Sequence, residues 1–124
     1  MHVNATLIQT IRDFSHYLNI YLNGILPADI TPKRREYILQ WIIVRELEQV
    51  YNLFDVSNIT RRDHYPFTIY DKLNEVMPIP LSSVFSNYIK APRIYADANE
   101  IIVSIKNEDL FIQYNGFIQN LHTL

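Results

Sequence analysis

The sequence predicts an α+β fold in which an N-terminal antiparallel helical hairpin and one or two further short helices precede a small C-terminal antiparallel β-hairpin or sheet. Two long stretches with apolar residues at helical spacing predict the helical hairpin. A shorter stretch of the same kind covers 80–90, and the tail changes to β-rich segments around an Asn-Gly pair. We assign residues 1–124 to a single domain, mainly helical over 1–90 and mainly β over 91–124, where the β part can form an extended arm.

The first predicted helix covers residues 4–23, with Asn4 as a candidate N-cap. Its apolar residues step by four, three, four and four along one face: Leu7, Ile11, Phe14, Leu18 and Leu22. A short loop containing Pro27 follows. Because short loops join helices that lie side by side, we expect this helix to run antiparallel to the next one.

The second predicted helix covers residues 31–54 and carries the clearest helical pattern of the chain. Thr31 is a candidate N-cap, and Pro32 occupies the first helical position, where its missing N–H costs nothing. One face carries a regular core stripe: Leu39, Ile43, Leu47, Val50 and Phe54.

The first half of this second helix is also apolar on its other side. Ile38, Trp41 and Ile42 project away from the stripe, and Gln40 is the one polar residue within 37–44. A helix that is apolar all round is covered on all sides. We therefore expect a second surface against it, supplied either by another element of this chain or by another chain.

The middle of the chain predicts a polar loop and two short helices. The loop covers 55–66, and a capping-box-like pattern at Thr68 opens a helix that ends near Val76. A second short helix covers 80–90 and ends before Pro92. Its apolar residues have helical spacing: Leu81, Val84, Phe85 and Ile89.

The tail predicts β-structure. Residues 93–95 and 101–105 are β-rich, and 110–121 contains Asn115-Gly116, the pair preferred in two-residue hairpin turns. Neither face of this predicted hairpin is properly polar. Since a sheet with two apolar faces is usually covered on both, the tail also predicts cover from two sides.

These two doubly apolar elements predict contact with other protein subunits, in a homo-oligomer or within a larger assembly. The predicted interface residues are Ile38, Trp41, Ile42, Phe111, Tyr114, Phe117 and Ile118.

The composition excludes several chemistries. The absence of Cys excludes disulfides, thiolate zinc sites and Cys nucleophiles, and two glycines cannot form a glycine-rich phosphate loop. The four histidines form no HExxH motif. Glu46 and Glu48 are two apart on a helix and point about 200° apart, so they cannot act on one substrate. We predict no catalytic, cofactor-binding or metal-binding residues, and hence no enzyme.

Three basic groups stand out: Lys33, Arg34 and Arg35; Arg61 and Arg62; and Lys90 with Arg93. The first group lies in the first turn of a helix, where the free backbone N–H groups and the basic side chains suit an anion. The alternative is a solvated charged helix end. We take the first two groups as candidate anion contacts, although a net charge of −2 does not favour a protein that coats nucleic acid.

The resulting hypothesis is a non-enzymatic structural subunit of a multi-chain complex, such as a head-to-tail connector or ring protein of a tailed phage. The alternative is a small nucleic-acid-binding or regulatory module that uses the basic groups at 33–35 and 61–62. We expect no membrane segment, because no apolar run of about 18 residues is present. The lack of Cys is compatible with a cytoplasmic location, or with a virion if the chain is viral.

Overall fold

The computed structural model describes residues 5–51, 54–55, 60–61, 74–107 and 111–123. Its architecture within these residues is helical, with α1 at Ala5–Asn23, α2 at Pro32–Tyr51, α3 at Leu81–Lys90, α4 at Pro92–Lys106 and α5 at Phe111–Thr123. Residues 74–76 are also helical. The one strand pairing in this part of the chain joins β1, Phe54–Asp55, antiparallel to β2, Thr60–Arg61.

Helix α2 is the centre of the molecule and contacts each of the other four helices. Every side chain within 37–44 is at most 5% exposed. The prediction that the first half of α2 is covered on all sides is therefore confirmed. Of the two sources of cover, the chain's own helices are the one observed.

Helix α1 follows the sequence prediction closely. Ile11, Phe14, Leu18 and Leu22 are all buried, which confirms the predicted stripe, while the side chain of Leu7 lies outside the described part. The Phe14 ring contacts aromatic rings of α5 at centroid distances of 5.3 and 5.4 Å. These contacts fix α1 between α2 and α5.

The start of α2 and its one buried amide are held by specific hydrogen bonds. The Arg34 backbone N–H donates to Thr31 Oγ1 at 3.2 Å, so Thr31 is the N-cap as predicted. The Gln40 side-chain amide donates to the Ile79 carbonyl oxygen, and its Oε1 accepts from the Ile79 N–H at 3.0 Å. Gln40 thereby attaches the segment before α3 to the centre of α2.

Helices α3 and α4 meet at a sharp corner because Ala91-Pro92 interrupts the helical path. Pro92 ends one helix and also opens the next at its first turn. Rings of Phe85, Tyr88 and Tyr95 surround Trp41, with centroids 4.6 to 6.5 Å from it. The aromatic cluster holds the α3–α4 corner against α2.

The α+β prediction is wrong, because the described part of 91–124 consists of helices α4 and α5. The predicted C-terminal hairpin, sheet and extended arm are absent there. In α4 the buried residues are spaced by three, four and three: Tyr95, Ala98, Ile102 and Ile105. This helical spacing outweighs the β preference of its isoleucines, because burial of one continuous face against α2 stabilises more than local propensity does.

The predicted turn at Asn115-Gly116 lies inside helix α5. A glycine in a helix interior costs about 0.8 to 1.0 kcal/mol relative to alanine. The packing of Tyr114 and Phe117 against Phe14 offsets that cost. The rest of the predicted 55–66 loop, beyond its described strand residues, and the predicted helix start at Thr68 lie outside the described residues.

Candidate functional site

The α2 residues predicted to form an interface lie in the core of this chain. Ile38, Trp41 and Ile42 are no more than 1% exposed. They present no surface to a partner, so the argument that they need a second chain as cover no longer holds.

The tail residues predicted for the same interface are divided between core and surface. Tyr114 is fully buried, whereas Phe117 and Ile118 are half-buried and pack against the core. The side chain of Phe111 lies outside the described part. Phe117 stacks on Phe14 and has one edge accessible beside Tyr17, at a ring centroid distance of 5.3 Å.

Two of the three cations at the start of α2 are used within the molecule. Arg34 Nη2 lies 2.8 Å from Asp97 Oδ2 on α4. Arg35 donates to the backbone carbonyl of Asn19 at 2.7 Å and to Asn23 Oδ1 at 2.9 Å, which anchors the last turn of α1.

The remaining members of the predicted anion contacts are less informative. Lys33 is exposed. The side chain of Arg61, in β2, and the whole of Arg62 lie outside the described part, so their proximity to the 33–35 group stays a prediction.

A buried carboxylate in the core was missed by sequence analysis. Glu46 is 2% exposed, and its Oε1 accepts from the Tyr114 hydroxyl at 2.6 Å and lies 3.8 Å from Lys106 Nζ. Burial, followed by the charge of Glu46 and this hydrogen bond, raises the pKa of Tyr114. Glu46 lies on the polar half of the second predicted helix, where a Glu is expected to be exposed. Its burial depends on the tail, which the sequence analysis assigns to strands.

One surface depression, which we call the α2–α4 groove, has a volume of about 590 Å³. Its base is apolar and is formed by the loop between α1 and α2 together with the facing sides of α2 and α4. The base residues are Ile25, Leu26, Ile30, Ile38 and Ile101. This volume and this apolar base are typical of sites that bind a small molecule or a segment of another protein.

The rim of the α2–α4 groove is acidic. Asp29, Asp97 and Glu100 line it together with Arg34, so three carboxylates face one guanidinium and leave two net negative charges. Because Arg34 is already paired with Asp97, Asp29 and Glu100 are the exposed charges on this rim. The groove therefore suits an apolar group that carries positive charge.

A second, shallower depression of about 390 Å³ lies between α1 and α5 and is lined by Tyr17, Gly116 and Phe117, with Gln113 and Asn120. Among its described lining residues, the ionisable group is the Tyr17 hydroxyl. Its surroundings therefore give less information about what would bind there than those of the α2–α4 groove.

The described part of the chain adds two further findings. No group of three or more His, Asp or Glu side chains among the described residues is placed to hold a metal ion. None of its helices is both long and apolar enough to cross a bilayer. Comparison with protein-family models, with curated proteins and with solved structures gives no match.

Proposed function

We propose that this protein is a non-enzymatic structural subunit of a multi-chain assembly and that it binds a protein partner through the α2–α4 groove. The observation that carries the proposal is the combination in one depression of an apolar base and an acidic rim. The proposal no longer rests on Ile38, Trp41 and Ile42, since the core of the chain uses them.

Binding, and not catalysis, suits the polar groups of the groove. The polar side chains among its described lining residues are carboxylates, Arg34, Thr31 and Ser104, and no histidine stands among them to act as a base beside a hydroxyl nucleophile. The buried carboxylate Glu46 is sealed in the core, where its contacts are Tyr114 and Lys106.

The more specific connector hypothesis has lost part of its support. A helical part followed by a β arm favours a head-to-tail connector or ring of a tailed phage, whereas helices α4 and α5 take the place of that arm. The proposal accordingly specifies an assembly subunit, with a ring or connector as one form of such an assembly. Its location in the proposal is the cytoplasm, or a virion if the chain is viral.

The alternative, a nucleic-acid-binding or regulatory module, is not favoured. Arg34 and Arg35 already hold Asp97, Asn19 and Asn23, and withdrawing them would cost those contacts. Binding to a DNA duplex that weakens with salt, and that is lost when Arg34 and Arg35 are reversed to Glu, would favour this alternative.

The native mass of the purified full chain tests the proposal. We expect masses above the 14.7 kDa of one chain, as a homo-oligomer or with a co-purified protein. A single species of 14.7 kDa by light scattering across micromolar concentrations, with no co-purified protein, would contradict it.

A further inference from the structure

An exposed apolar residue with basic neighbours stands at the corner between α3 and α4. Ile89 is 72% exposed, although its spacing from Leu81 and Phe85 predicts a core position. Lys90 follows it, and Arg93 lies in the first turn of α4; both are exposed. We call Ile89, Lys90 and Arg93 the basic corner. It carries two positive charges around one apolar side chain.

The basic corner lies beside the α2–α4 groove, at the same end of the molecule. The Asn87 side-chain amide donates to the Tyr37 hydroxyl at 3.0 Å, which brings the last turn of α3 against the first turns of α2. The Arg34–Asp97 ion pair brings the start of α4 to the same place. Arg93 is one helical turn before Asp97, so corner and groove follow each other along one face of α4.

The corner and the groove are complementary to each other in charge and polarity. The groove has an apolar base and two net negative charges, and the corner has an exposed isoleucine and two positive charges. Within one chain Arg93 and Glu100 are seven residues, about two helical turns, apart on α4, which is too far for their side chains to form an ion pair. A second copy, turned by a two-fold rotation, can satisfy both at once.

We infer that the basic corner of a second copy occupies the α2–α4 groove, in a two-fold symmetric dimer. This inference rests on the proposed function. In such an interface residue i of one copy contacts residue j of the other, and the same contact is repeated with the copies exchanged. Both copies therefore use the same surface, which must be self-complementary. Arg93 and Glu100 meet this requirement, because they are seven residues apart on one face of α4 and have opposite charges. Two antiparallel copies of α4 pair Arg93 of each copy with Glu100 of the other.

The axis of this dimer passes close to Ala96, midway between Arg93 and Glu100. Ala96 is exposed, and its small side chain lets two helices approach. The same rotation places Ile89 of one copy over the Ile101 and Ile25 side of the other groove, where both isoleucines gain apolar contacts.

A charge exchange in the full chain tests the pairing. Arg93→Glu and Glu100→Arg should each lower the dimer association constant by about tenfold, since each places like charges opposite one another twice. The double variant, Arg93→Glu with Glu100→Arg, should restore association to near the wild-type value. Sedimentation equilibrium over a concentration series measures all four proteins, and circular dichroism confirms that each remains helical.

Two substitutions of isoleucine provide a matched comparison. Ile89→Asp should weaken the dimer, because it places a carboxylate against the acidic groove. Ile112→Asp changes an isoleucine of α5 that is 81% exposed and lies away from the corner, so it should leave association unchanged. Weakening by both substitutions, or by neither, would overturn the inference.

A cross-link tests the position of the two-fold axis. The chain has no Cys, so Ala96→Cys introduces a single thiol. Two such thiols at the axis lie within disulfide range, and mild oxidation should convert the protein to a covalent dimer. Gln113→Cys, an exposed position on α5, is the control and should form no covalent dimer under the same conditions.

The outcomes separate this inference from the proposed function. An oligomer that is indifferent to the charge exchange and does not cross-link at Ala96 would overturn the second-copy occupant and leave the assembly role standing. Co-purification of the wild-type chain with a different basic protein, which the Glu100→Arg variant no longer retains, would likewise overturn it. A monomer without any partner would overturn both.

Discussion

At the scale of single residues, the polar groups inside the core decide how the helices are aligned. Gln40 joins α2 to the backbone at Ile79, and Glu46 joins α2 to Tyr114 on α5. Buried polar groups without partners cost about 1 to 3 kcal/mol, so each of these pairings disfavours alternative packings of otherwise interchangeable apolar helices.

Tyr114→Phe should lower the free energy of unfolding by about 1 to 3 kcal/mol, because it removes the hydroxyl that donates to the buried Glu46 carboxylate. Urea denaturation measures the change. In a Glu46→Gln background the same substitution should cost less, and the difference between the two backgrounds gives the coupling energy. Equal costs in both backgrounds would show that the two side chains do not interact.

The tyrosine hydroxyls in the core predict a loss of stability in alkali. Burial is the main cause that raises the pKa of both Tyr95 and Tyr114, with the Tyr37 charge adding to it for Tyr95 and the Glu46 charge for Tyr114. The unfolded chain releases these protons near pH 10, whereas the folded protein retains them. The free energy of unfolding is therefore unaffected by them below about pH 10 and falls above it, by about 1.4 kcal/mol per pH unit for each hydroxyl.

Denaturant unfolding at pH values on both sides of 10 checks this dependence. Lysines titrate in the same range, so the comparison is made with Tyr95→Phe and Tyr114→Phe, each of which should reduce the slope. Slopes identical to that of the wild type would contradict the assignment of the effect to these hydroxyls.

At the scale of elements, side chains at the helix ends join one helix to the next. Arg35, in the first turn of α2, reaches the last turn of α1 and donates to the Asn19 carbonyl and the Asn23 side chain. A cation at a helix C-terminus also interacts favourably with the helix dipole. The first-turn arginine, which is unfavourable for its own helix, thus stabilises the neighbouring one.

Arg35→Ala should lower the free energy of unfolding by about 1 to 2 kcal/mol, since several hydrogen bonds from a charged donor are lost. Thermal or urea unfolding measures the effect. Lys33→Ala is the matched control in the same turn; it is exposed and should change stability by less than about 0.5 kcal/mol. A loss equal to that of the control would mean that Arg35 does not fasten α1.

Gly116→Ala should raise the free energy of unfolding by about 0.5 to 1 kcal/mol. A Cβ at this position meets no atom within 4 Å, so the higher helix propensity of alanine acts without a steric cost. Gly24→Ala, outside α1, is the control and should give a smaller gain. Destabilisation by Gly116→Ala would contradict a helical assignment of α5 and favour the Asn-Gly turn.

At the scale of the whole molecule, helix α2, whose first half is apolar all round, contacts the four other helices of the same chain. Trp41 is 1% exposed, and its indole N–H has no hydrogen-bond partner among the described residues. Its stabilising effect therefore comes from packing against the surrounding aromatic rings.

Trp41→Ala should cost about 3 to 5 kcal/mol of stability, independent of protein concentration. Trp41 is the one tryptophan of the chain, so its fluorescence reports on its surroundings directly. The wild-type emission should stay at the short wavelengths of a buried indole after dilution to a monomer. A red shift on dilution would return Trp41 to the interface assigned to it from sequence.

Sequence patterns were reliable where long-range packing and local preference agree. The bounds of α1, the Thr31 cap and the end of α3 before Pro92 all followed from helical spacing and from Pro and Thr placement. Sequence patterns were misleading in the tail, where isoleucine-rich stretches and Asn115-Gly116 favour strands and a turn locally. The spacing of Tyr95, Ala98, Ile102 and Ile105 is a helical signal that was present but was outweighed by composition.

The candidate site was predictable in part only. Basic residues at the start of α2 and after α3 were visible in the sequence, but their partners Asp97, Asn19 and Asn23 lie far away along the chain. The exposure of Ile89 and the burial of Glu46 follow from which helix covers which face. Neither follows from the residue or its immediate neighbours.

By itself the sequence determined that the first half of α2 must be covered on all sides, since an apolar surface that wide is unfavourable in water. Only the tertiary structure decided what covers it: the tail, folded as two helices, supplies within one chain the cover that a hairpin would have left to a partner. The physical reason is that burial of one face of α4 against α2, and of Tyr114 of α5 against α1 and α2, stabilises helices whose local sequence favours strands.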